Sequence, residues 1–339
     1  MKYTAQDFKS NQEVRWCPGC GDHSILASLQ RAMPQISEDL DVPMEEFVFV
    51  SGIGCSSRLP YYMNMFGFHS IHGRATAIST GIKIANPRLS VWQATGDGDA
   101  LAIGGNHFIH AIRRNIDINV VLFNNRIYGL TKGQYSPTSP LGKITKTSPY
   151  GTIEYPFNPG ALVVGARGTF FARGIDKAIA LNQEIFVESA RHDGTSITEM
   201  LCNCVIFNDG SHKEISDKEV MEDRTIVLRH GEPMIFGKNR DKGLVLDENH
   251  ALKVVTIGEN GITEKDLLVH DAHCRSLGIH SMLIDMKYPE YPVALGVIRN
   301  VEDKTYEQRL LEQVNEVTEK SSIRTMDELL HSGATWEVE

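Results

Sequence analysis

Short apolar runs alternate with longer amphipathic segments between residues 46 and 190. Two of the runs, EFVFVSGIG and LSVWQATGDG, end in glycines, and a third, INVVLFNN, is apolar and β-branched almost throughout. Runs of this kind are typical of strands that are buried on both faces of a parallel sheet. The segment QEIFVESA is predicted to be a further strand of the same sheet.

The segments between these runs have helical spacing. In ALAIGGNHFIHAIRRN, four apolar residues are predicted to share one side of a helix: Leu101, Phe108, Ile109 and Ile112. NPGALVVGARGTFFARGI is predicted to be a helix and a strand joined by a glycine turn. Strands that alternate with helices predict an α/β fold, with a mostly parallel sheet and helices on both faces. Ligands of such sheets bind at the carboxyl ends of strands, here SGIGCSS, TGDGDA and FNNRIYG.

The pattern changes after about residue 209. DGSHKEISDKEVMEDR is charged, and the later segments ALKVVTIGENGITEKDLLVHDAH and TYEQRLLEQVNEVTEK suggest a smaller unit. We therefore predict a main domain over residues 1–208. Residues 209–339 would form a C-terminal extension, part linker and part small α/β or helical subdomain.

The composition restricts the possible classes of function. The chain has 339 residues, and its formal net charge of −9 argues against non-specific nucleic-acid binding and a basic membrane-surface role. The first residues lack the apolar core of a signal peptide, and no apolar run approaches the ~18 residues of a membrane span. We therefore expect a cytoplasmic protein without nucleic-acid or membrane partners.

Six cysteines are too few for a disulfide scaffold in a chain of this length. Cys17 and Cys20 have C-x-x-C spacing, which suits a disulfide, a redox dithiol, half a zinc site or half an iron–sulfur site. Cys55 follows another predicted strand, and Cys202 and Cys204 form a tight C-x-C pair. The remaining cysteine, Cys274, is expected to be a small buried apolar residue.

Two further motifs follow successive predicted strands. Gly98, in Gly96-Asp97-Gly98, is separated by twenty-five residues from Asn124, in Asn124-Asn125. Asp97, Asn125 and the main-chain carbonyl of Ile127 could give Mg²⁺ hard oxygen ligands and leave positions open for phosphate oxygens. Glycines let backbone amides approach a pyrophosphate closely. Each motif alone could be an ordinary turn, but their spacing at successive strand ends favours a diphosphate and metal site.

This pattern resembles the thiamine diphosphate enzymes, in which GDG and NN motifs bind Mg²⁺ and the diphosphate. In that superfamily the carboxylate that activates the cofactor usually lies on a partner pyrimidine-binding domain. The sequence offers no second α/β domain of that size, so the resemblance implies a partner subunit.

A narrower resemblance rests on the order of five motifs: WCPGCG, GIGCSSR, HGRATAI, GDGD with GGNHF, and NNRIYGLTKGQYSPT. Over residues 13–208 the chain resembles the beta subunit of 2-oxoacid:ferredoxin oxidoreductases, of the 2-oxoglutarate type. The resemblance implies a [4Fe–4S] cluster held by Cys17, Cys20, Cys55 and Cys204, with Cys202 as the alternative to Cys204. Zinc is the structural rival, and a redox dithiol would leave Cys55 and Cys204 unexplained.

The resemblance also implies the residues that border thiamine diphosphate. These are Ile53, Gly54, Cys55, Ser56, His72, Gly73, Arg74, Gly98, Asp99, Gly129 and Leu130.

The implied reaction converts a 2-oxoacid, coenzyme A and oxidised ferredoxin to an acyl-coenzyme A, CO₂ and reduced ferredoxin. Arg58 and Lys132 lie next to the motifs, and either could bind the distal carboxylate of 2-oxoglutarate. Arg58 could instead form a subunit salt bridge, and pyruvate or a broad range of 2-oxoacids is the alternative substrate. The chain is expected to work as a heterodimer, or a dimer of heterodimers, with an alpha or fused alpha–gamma subunit. Rival hypotheses are a non-oxidative thiamine diphosphate enzyme with a structural Cys₄ metal, and an electron-transfer subunit without its own cofactor.

Overall fold

The computed structural model describes residues 2–338, and its frame is an eight-stranded sheet accompanied by a small three-stranded one. The strands, in chain order, are β1 Phe47–Ser51, β2 Phe66–His69, β3 Ser90–Gly96, β4 Asn119–Asn124, β5 Phe170–Ile175, β6 Ser196–Leu201, β7 Thr225–Leu228, β8 Ile235–Phe236, β9 Lys242–Leu246, β10 Leu252–Thr256 and β11 Val293–Asn300.

The large sheet has the strand order β2-β1-β3-β4-β6-β5-β11-β7. The first six strands are parallel, whereas β11 pairs antiparallel with β5 and parallel with β7. The prediction of a mostly parallel sheet is confirmed. Because β1, β3 and β4 are adjacent and parallel, their carboxyl ends share one edge, where the glycine-rich motifs lie.

Helices pack on both faces of this sheet. The largest buried cluster includes Phe108, Val163 and Leu283, and a second includes Ile25 and Phe186. No helix within residues 2–338 is long and apolar enough to cross a membrane. The helices are α1 Asp22–Asp39, α2 Leu59–Tyr62, α3 Ala75–Ala85, α4 Gly105–Arg114, α5 Pro159–Gly165, α6 Ile179–Arg191, α7 Lys213–Ser216, α8 Met221–Arg224, α9 Gly278–Asp285, α10 Tyr306–Lys320 and α11 Met326–Leu330.

The segment QEIFVESA was wrongly predicted as a strand, because it lies inside helix α6. Asn182, Ile185, Phe186 and Ser189 are buried, and their spacing is that of one helix face. The strand in this region is β6, which follows α6 and is buried at all six positions.

The predicted helix after β3 is confirmed in α4, which follows a π-helical turn over Asp99–Ile103. Leu101, Phe108 and Ile112 are buried as expected. Ile109 was predicted to share one side with these three residues, but it is 37% exposed and does not share their burial. The helix and strand predicted in NPGALVVGARGTFFARGI are confirmed as α5 and β5.

The chain after residue 209 contributes to both sheets. Strands β7 and β11 extend the large sheet, and β8, β9 and β10 form the small antiparallel sheet. Helices α10 and α11 follow at the end, with most of their side chains exposed. Because β7 and β11 hydrogen-bond within the large sheet, the segment after residue 209 is not confined to the small sheet. The division into residues 1–208 and 209–339 stays a prediction about folding units.

Candidate active site

Loops that follow β1, β3 and β4 enclose a narrow crevice of about 40 Å³ at the carboxyl edge of the large sheet. Both predicted motifs reach it, because Gly96 ends β3 and Asn124 ends β4. The crevice is lined by twelve of the residues singled out in the sequence: Ile53, Gly54, Cys55, Ser56, His72, Asp97, Gly98, Asp99, Asn125, Ile127, Gly129 and Leu130.

Asp97 is a buried carboxylate, with 2% of its surface exposed. Burial raises its pKa to about 6, although hydrogen bonds from the hydroxyls of Ser136 and Thr138 to Oδ2 act in the opposite direction. Within residues 2–338, no lysine or arginine forms an ion pair with it. A buried carboxylate without a cationic partner is costly, so this environment fits a bound metal cation.

The two asparagines after β4 are in different environments. Asn124 donates to Glu199 Oε1 (2.7 Å) and accepts from Thr138 Oγ1 (2.9 Å), so its side chain is used within the protein. Asn125 lines the crevice, where its Oδ1 accepts from the backbone N–H of Ile127 (3.1 Å). An amide oxygen has a second lone pair, so Asn125 is the asparagine that could also bind a cation in the crevice.

Gly98 is required by the close approach of Tyr128. A Cβ at Gly98 would lie 2.2 Å from Cε1 of the Tyr128 ring. The Tyr128 hydroxyl donates to the Gly98 carbonyl (2.9 Å), which fixes the ring in this position. The backbone of Gly98 is therefore held at the crevice wall without a side chain in front of it.

Asp99 joins three loops at the crevice. Its carboxylate accepts from Thr95 Oγ1 (3.1 Å), the N–H of Gly73 (2.9 Å), His72 Nδ1 (2.8 Å) and the N–H of Ile53 (3.4 Å). These donors occupy its oxygens, so the contribution of Asp99 to a ligand would come from its backbone. Sequence reasoning alone did not identify this positioning function.

Gly73 and Arg74 do not line the crevice. A Cβ at Gly73, whose φ is +66°, would lie 2.5 Å from the backbone nitrogen of Gly104. The Arg74 guanidinium donates to the carbonyls of His72 (3.4 Å) and Ile103 (3.3 Å). Both residues therefore support the loop that presents His72.

Next to the crevice, four thiols surround a cavity of about 190 Å³: Cys17, Cys20, Cys55 and Cys204. Gly129 lines both the cavity and the crevice, and a Cβ there would lie 3.5 Å from Cys204 Sγ and 3.6 Å from Cys55 Sγ. Cys202 is fully buried outside this lining, and Cys274 is only partly buried, which differs from its predicted burial.

Burial raises the pKa of the Cys55 thiol to about 11, and it raises the pKa of Cys20 as well. Within residues 2–338, no three His, Cys, Asp or Glu side chains are grouped to hold a single metal ion. The four thiols instead face a shared cavity. A polynuclear cluster places several atoms between its thiolate ligands, so it fits this arrangement better than tetrahedral Zn²⁺ does.

A larger opening, the vestibule, adjoins both spaces and has a volume of about 590 Å³. It shares Ile53, Gly54 and Leu130 with the crevice, and it shares Arg58 with the cysteine cavity. Lys132 lies on an exposed turn just after the crevice residue Thr131 and lines none of these three spaces. Of the two predicted cations, the structure therefore brings Arg58 to the common opening.

Several important residues did not emerge from the sequence alone. Ser136 and Thr138 hold Asp97 from 39 and 41 residues away, in the segment QYSPTSP. The signal was the dense group of hydroxyl residues in a motif that had no role assigned to it. The positions of Thr95 and Tyr128 required the three-dimensional structure.

Comparisons with known proteins agree with this geometry. Residues 52–200 match the family described as thiamine pyrophosphate enzyme, C-terminal TPP binding domain. The chain is 46% identical over 339 residues to the 2-oxoglutarate oxidoreductase subunit KorB of Mycobacterium tuberculosis, covering 98% of this chain and 88% of that protein. It is 46% identical over 189 residues to the 2-oxoglutarate synthase subunit KorB of Archaeoglobus fulgidus, covering 56% and 69%.

A solved structure is similar along almost its whole length. It is titled as the 2-oxoglutarate:ferredoxin oxidoreductase from Magnetococcus marinus with 2-oxoglutarate, coenzyme A and succinyl-CoA bound. The TM-score is 0.77 at 28% identity, and the match covers 98% of this chain and 97% of that one.

Proposed function

The chain belongs to the family of 2-oxoacid:ferredoxin oxidoreductase beta subunits, and on this basis we propose that it catalyses, with an alpha subunit, the oxidative decarboxylation of 2-oxoglutarate. In the proposed reaction, a 2-oxoacid, coenzyme A and two oxidised ferredoxins give an acyl-coenzyme A, CO₂, two reduced ferredoxins and a proton. With 2-oxoglutarate the product is succinyl-coenzyme A.

The observation that carries this proposal is the contact between two sites of different chemistry. The crevice has a buried, unpaired carboxylate and a glycine-lined wall, and it shares Cys55, Asn125, Gly129 and Leu130 with the cavity that the four thiols line. Asp97, Asn125 and the Ile127 carbonyl would hold Mg²⁺, and the backbone at Gly98 and Asp99 would bind a diphosphate. Thiamine diphosphate, when bound there, supplies the electron sink for decarboxylation.

The thiol cavity would hold a [4Fe–4S] cluster through Cys17, Cys20, Cys55 and Cys204. Helix α1 begins just after Cys20, and the Trp16 indole N–H donates to the Cys55 carbonyl (2.7 Å). These contacts fix the backbone around two of the ligands. A cluster in this cavity would be close enough to the crevice to accept electrons one at a time and pass them to ferredoxin.

Arg58 is proposed to select the substrate. It lies where the vestibule meets the cysteine cavity, and it forms no ion pair within residues 2–338. A guanidinium in this position can bind the distal carboxylate of 2-oxoglutarate, which pyruvate lacks. Lys132 is the second candidate, and its exposed turn would have to move toward the crevice to reach the substrate.

A partner is expected on the open side of the crevice. The crevice is too small to enclose thiamine diphosphate by itself, and the segment that holds Asp97 continues into strongly exposed apolar residues. Tyr150, Ile153 and Tyr155 are between 86% and 100% exposed, and Ile71, next to His72, is 68% exposed. Exposed apolar surface of this extent is typical of a protein interface, here with the alpha or fused alpha–gamma subunit. We also propose a cytoplasmic location, where free thiols stay reduced.

The proposal is tested by producing the chain with its alpha subunit under anaerobic conditions and following the reduction of ferredoxin. The expected result is reduction that requires thiamine diphosphate, Mg²⁺, coenzyme A and a 2-oxoacid, and is faster with 2-oxoglutarate than with pyruvate. An aldehyde or carboligation product without ferredoxin reduction would instead support a non-oxidative thiamine diphosphate enzyme with a structural Cys₄ metal.

A further inference from the structure

His69 lies at the end of strand β2, and its side chain lines the vestibule. The vestibule adjoins the crevice, because Ile53, Gly54 and Leu130 line both. The side chain is therefore on the route by which a ligand would approach the proposed cofactor site from solvent. The function proposed above assigns it no role.

The hydrogen bonds of His69 determine which ring nitrogen carries the proton. Nδ1 lies 3.0 Å from Ser51 Oγ and 3.3 Å from the carbonyl oxygen of Gly52. The carbonyl can only accept, and the Ser51 hydroxyl already donates to the carbonyl of Ser57 (2.8 Å). Nδ1 must therefore be the donor. In the neutral ring, Nε2 then carries a lone pair, and no residue among 2–338 forms a hydrogen bond with it.

The charges of the vestibule restrict the ligand that could meet this lone pair. Arg15, Glu13 and Arg58 line the same space. Arg15 forms an ion pair with Glu13 (2.9 Å), so Arg58 carries the net positive charge by which the opening favours an anionic ligand. A carboxylate oxygen placed against Nε2 would be repelled, because both atoms are acceptors. The ligand must be anionic elsewhere and must present a group with a removable proton to Nε2.

We propose that His69 is the general base that removes the proton from the thiol of coenzyme A, and this rests on the function proposed above. Coenzyme A is a polyanion whose reacting end is a thiol, which matches both features of the vestibule. The S–H bond breaks and its electron pair stays on sulfur, while the proton forms a bond with Nε2. The thiolate is the nucleophile of acyl transfer, and the proton leaves to water at the vestibule opening.

The surroundings of the ring suit this function. Nδ1–H remains bound to Ser51 and Gly52 in both protonation states, so the ring keeps its orientation when Nε2 gains a proton. The Tyr61 ring packs against the His69 ring, with a distance of 4.7 Å between the ring centroids. The charged groups that face the vestibule are Glu13, Arg15 and Arg58.

The test uses His69→Asn in the assembled enzyme. Asparagine can keep a donor near the position of Nδ1, for Ser51 and Gly52, but it has no base at the position of Nε2. Stopped-flow absorbance follows the reduction of the proposed iron–sulfur cluster. It separates the reduction that 2-oxoacid causes alone from the faster reduction when coenzyme A is also present. We expect the variant to keep the first step and to lose about 10²-fold or more in the second, as is usual for loss of a general base. Its remaining coenzyme A-dependent rate should increase with pH, as more free thiol ionises.

A second readout does not depend on turnover. Diethyl pyrocarbonate acylates neutral imidazole nitrogens, so mass spectrometry should find His69 labelled, and coenzyme A should protect it. A coenzyme A step at the wild-type rate in His69→Asn would overturn the proposal, as would an unlabelled His69 in the free enzyme. Absence of 2-oxoacid-dependent reduction in the wild-type enzyme would contradict the proposed function instead, so the two failures are distinguishable.

Discussion

Replacement of Asp97 by asparagine should stabilise the metal-free protein while removing a ligand of the proposed Mg²⁺ site. Asparagine can still accept hydrogen bonds from Ser136 and Thr138, but it avoids a buried negative charge. The pKa of Asp97, about 6 against an ordinary 3.8, corresponds to about 3 kcal/mol of unfolding free energy lost above pH 6. We therefore expect Asp97→Asn to gain up to about 3 kcal/mol at pH 8.

The sign of the pH dependence follows from the raised pKa. The folded protein binds a proton at Asp97 more tightly than the unfolded chain does, so the cost of the charge is fully present above about pH 6. It falls as the pH decreases and vanishes below the ordinary pKa of 3.8. The advantage of Asp97→Asn should therefore shrink over this range, as measured by urea unfolding of the metal-depleted subunit.

Asp99→Asn is the matched control. Asp99 is also buried, but its carboxylate accepts from four donors, including the N–H groups of Gly73 and Ile53, and an amide cannot replace both oxygens as acceptors. This variant should lose about 1–3 kcal/mol of unfolding free energy. If both variants were destabilised alike, or if the Asp97→Asn effect were independent of pH, the account of Asp97 as an unpaired buried charge would be refuted.

Three further predictions concern the neighbouring residues. Gly98→Ala should lose about 1–3 kcal/mol of unfolding free energy and weaken thiamine diphosphate binding, because its Cβ would collide with Tyr128. Calorimetry measures both quantities, and unchanged binding would contradict this prediction. Arg58→Ile should lower the kcat/KM ratio of 2-oxoglutarate to pyruvate by about 10-fold or more, and an unchanged ratio would exclude Arg58 as the carboxylate ligand. The Cys204→Ala variant should contain less iron than the Cys202→Ala variant, because Cys204 lines the cavity and Cys202 does not. Equal iron content in the two variants would contradict this.

Some strands were predictable because burial on both faces leaves a clear sequence pattern. The segment INVVLFNN contains β4, and all six residues of that strand are buried. QEIFVESA also contains Ile, Phe and Val, but its buried positions follow the helical period. Strand β6 has no clear strand pattern, because Thr198 and Glu199 interrupt its apolar run. Short segments of this kind are decided by tertiary packing rather than by local preference.

The candidate site was predictable where spacing alone brings residues together. Asp97 and Asn125 follow adjacent parallel strands, so their meeting in one crevice follows from topology. The support from Ser136 and Thr138 was not predictable, because a long loop has to fold back to place them. The free nitrogen of His69 likewise depends on contacts with β1 that no local pattern specifies.

We propose that a thiamine diphosphate crevice and an iron–sulfur cluster lie side by side in this chain. The most direct test is the iron, zinc and acid-labile sulfide content of anaerobically purified protein, with its visible spectrum before and after dithionite. We expect about four irons and four sulfides per chain and a brown chromophore that dithionite bleaches. Zinc without sulfide would contradict it and would leave the four thiols as a structural metal site.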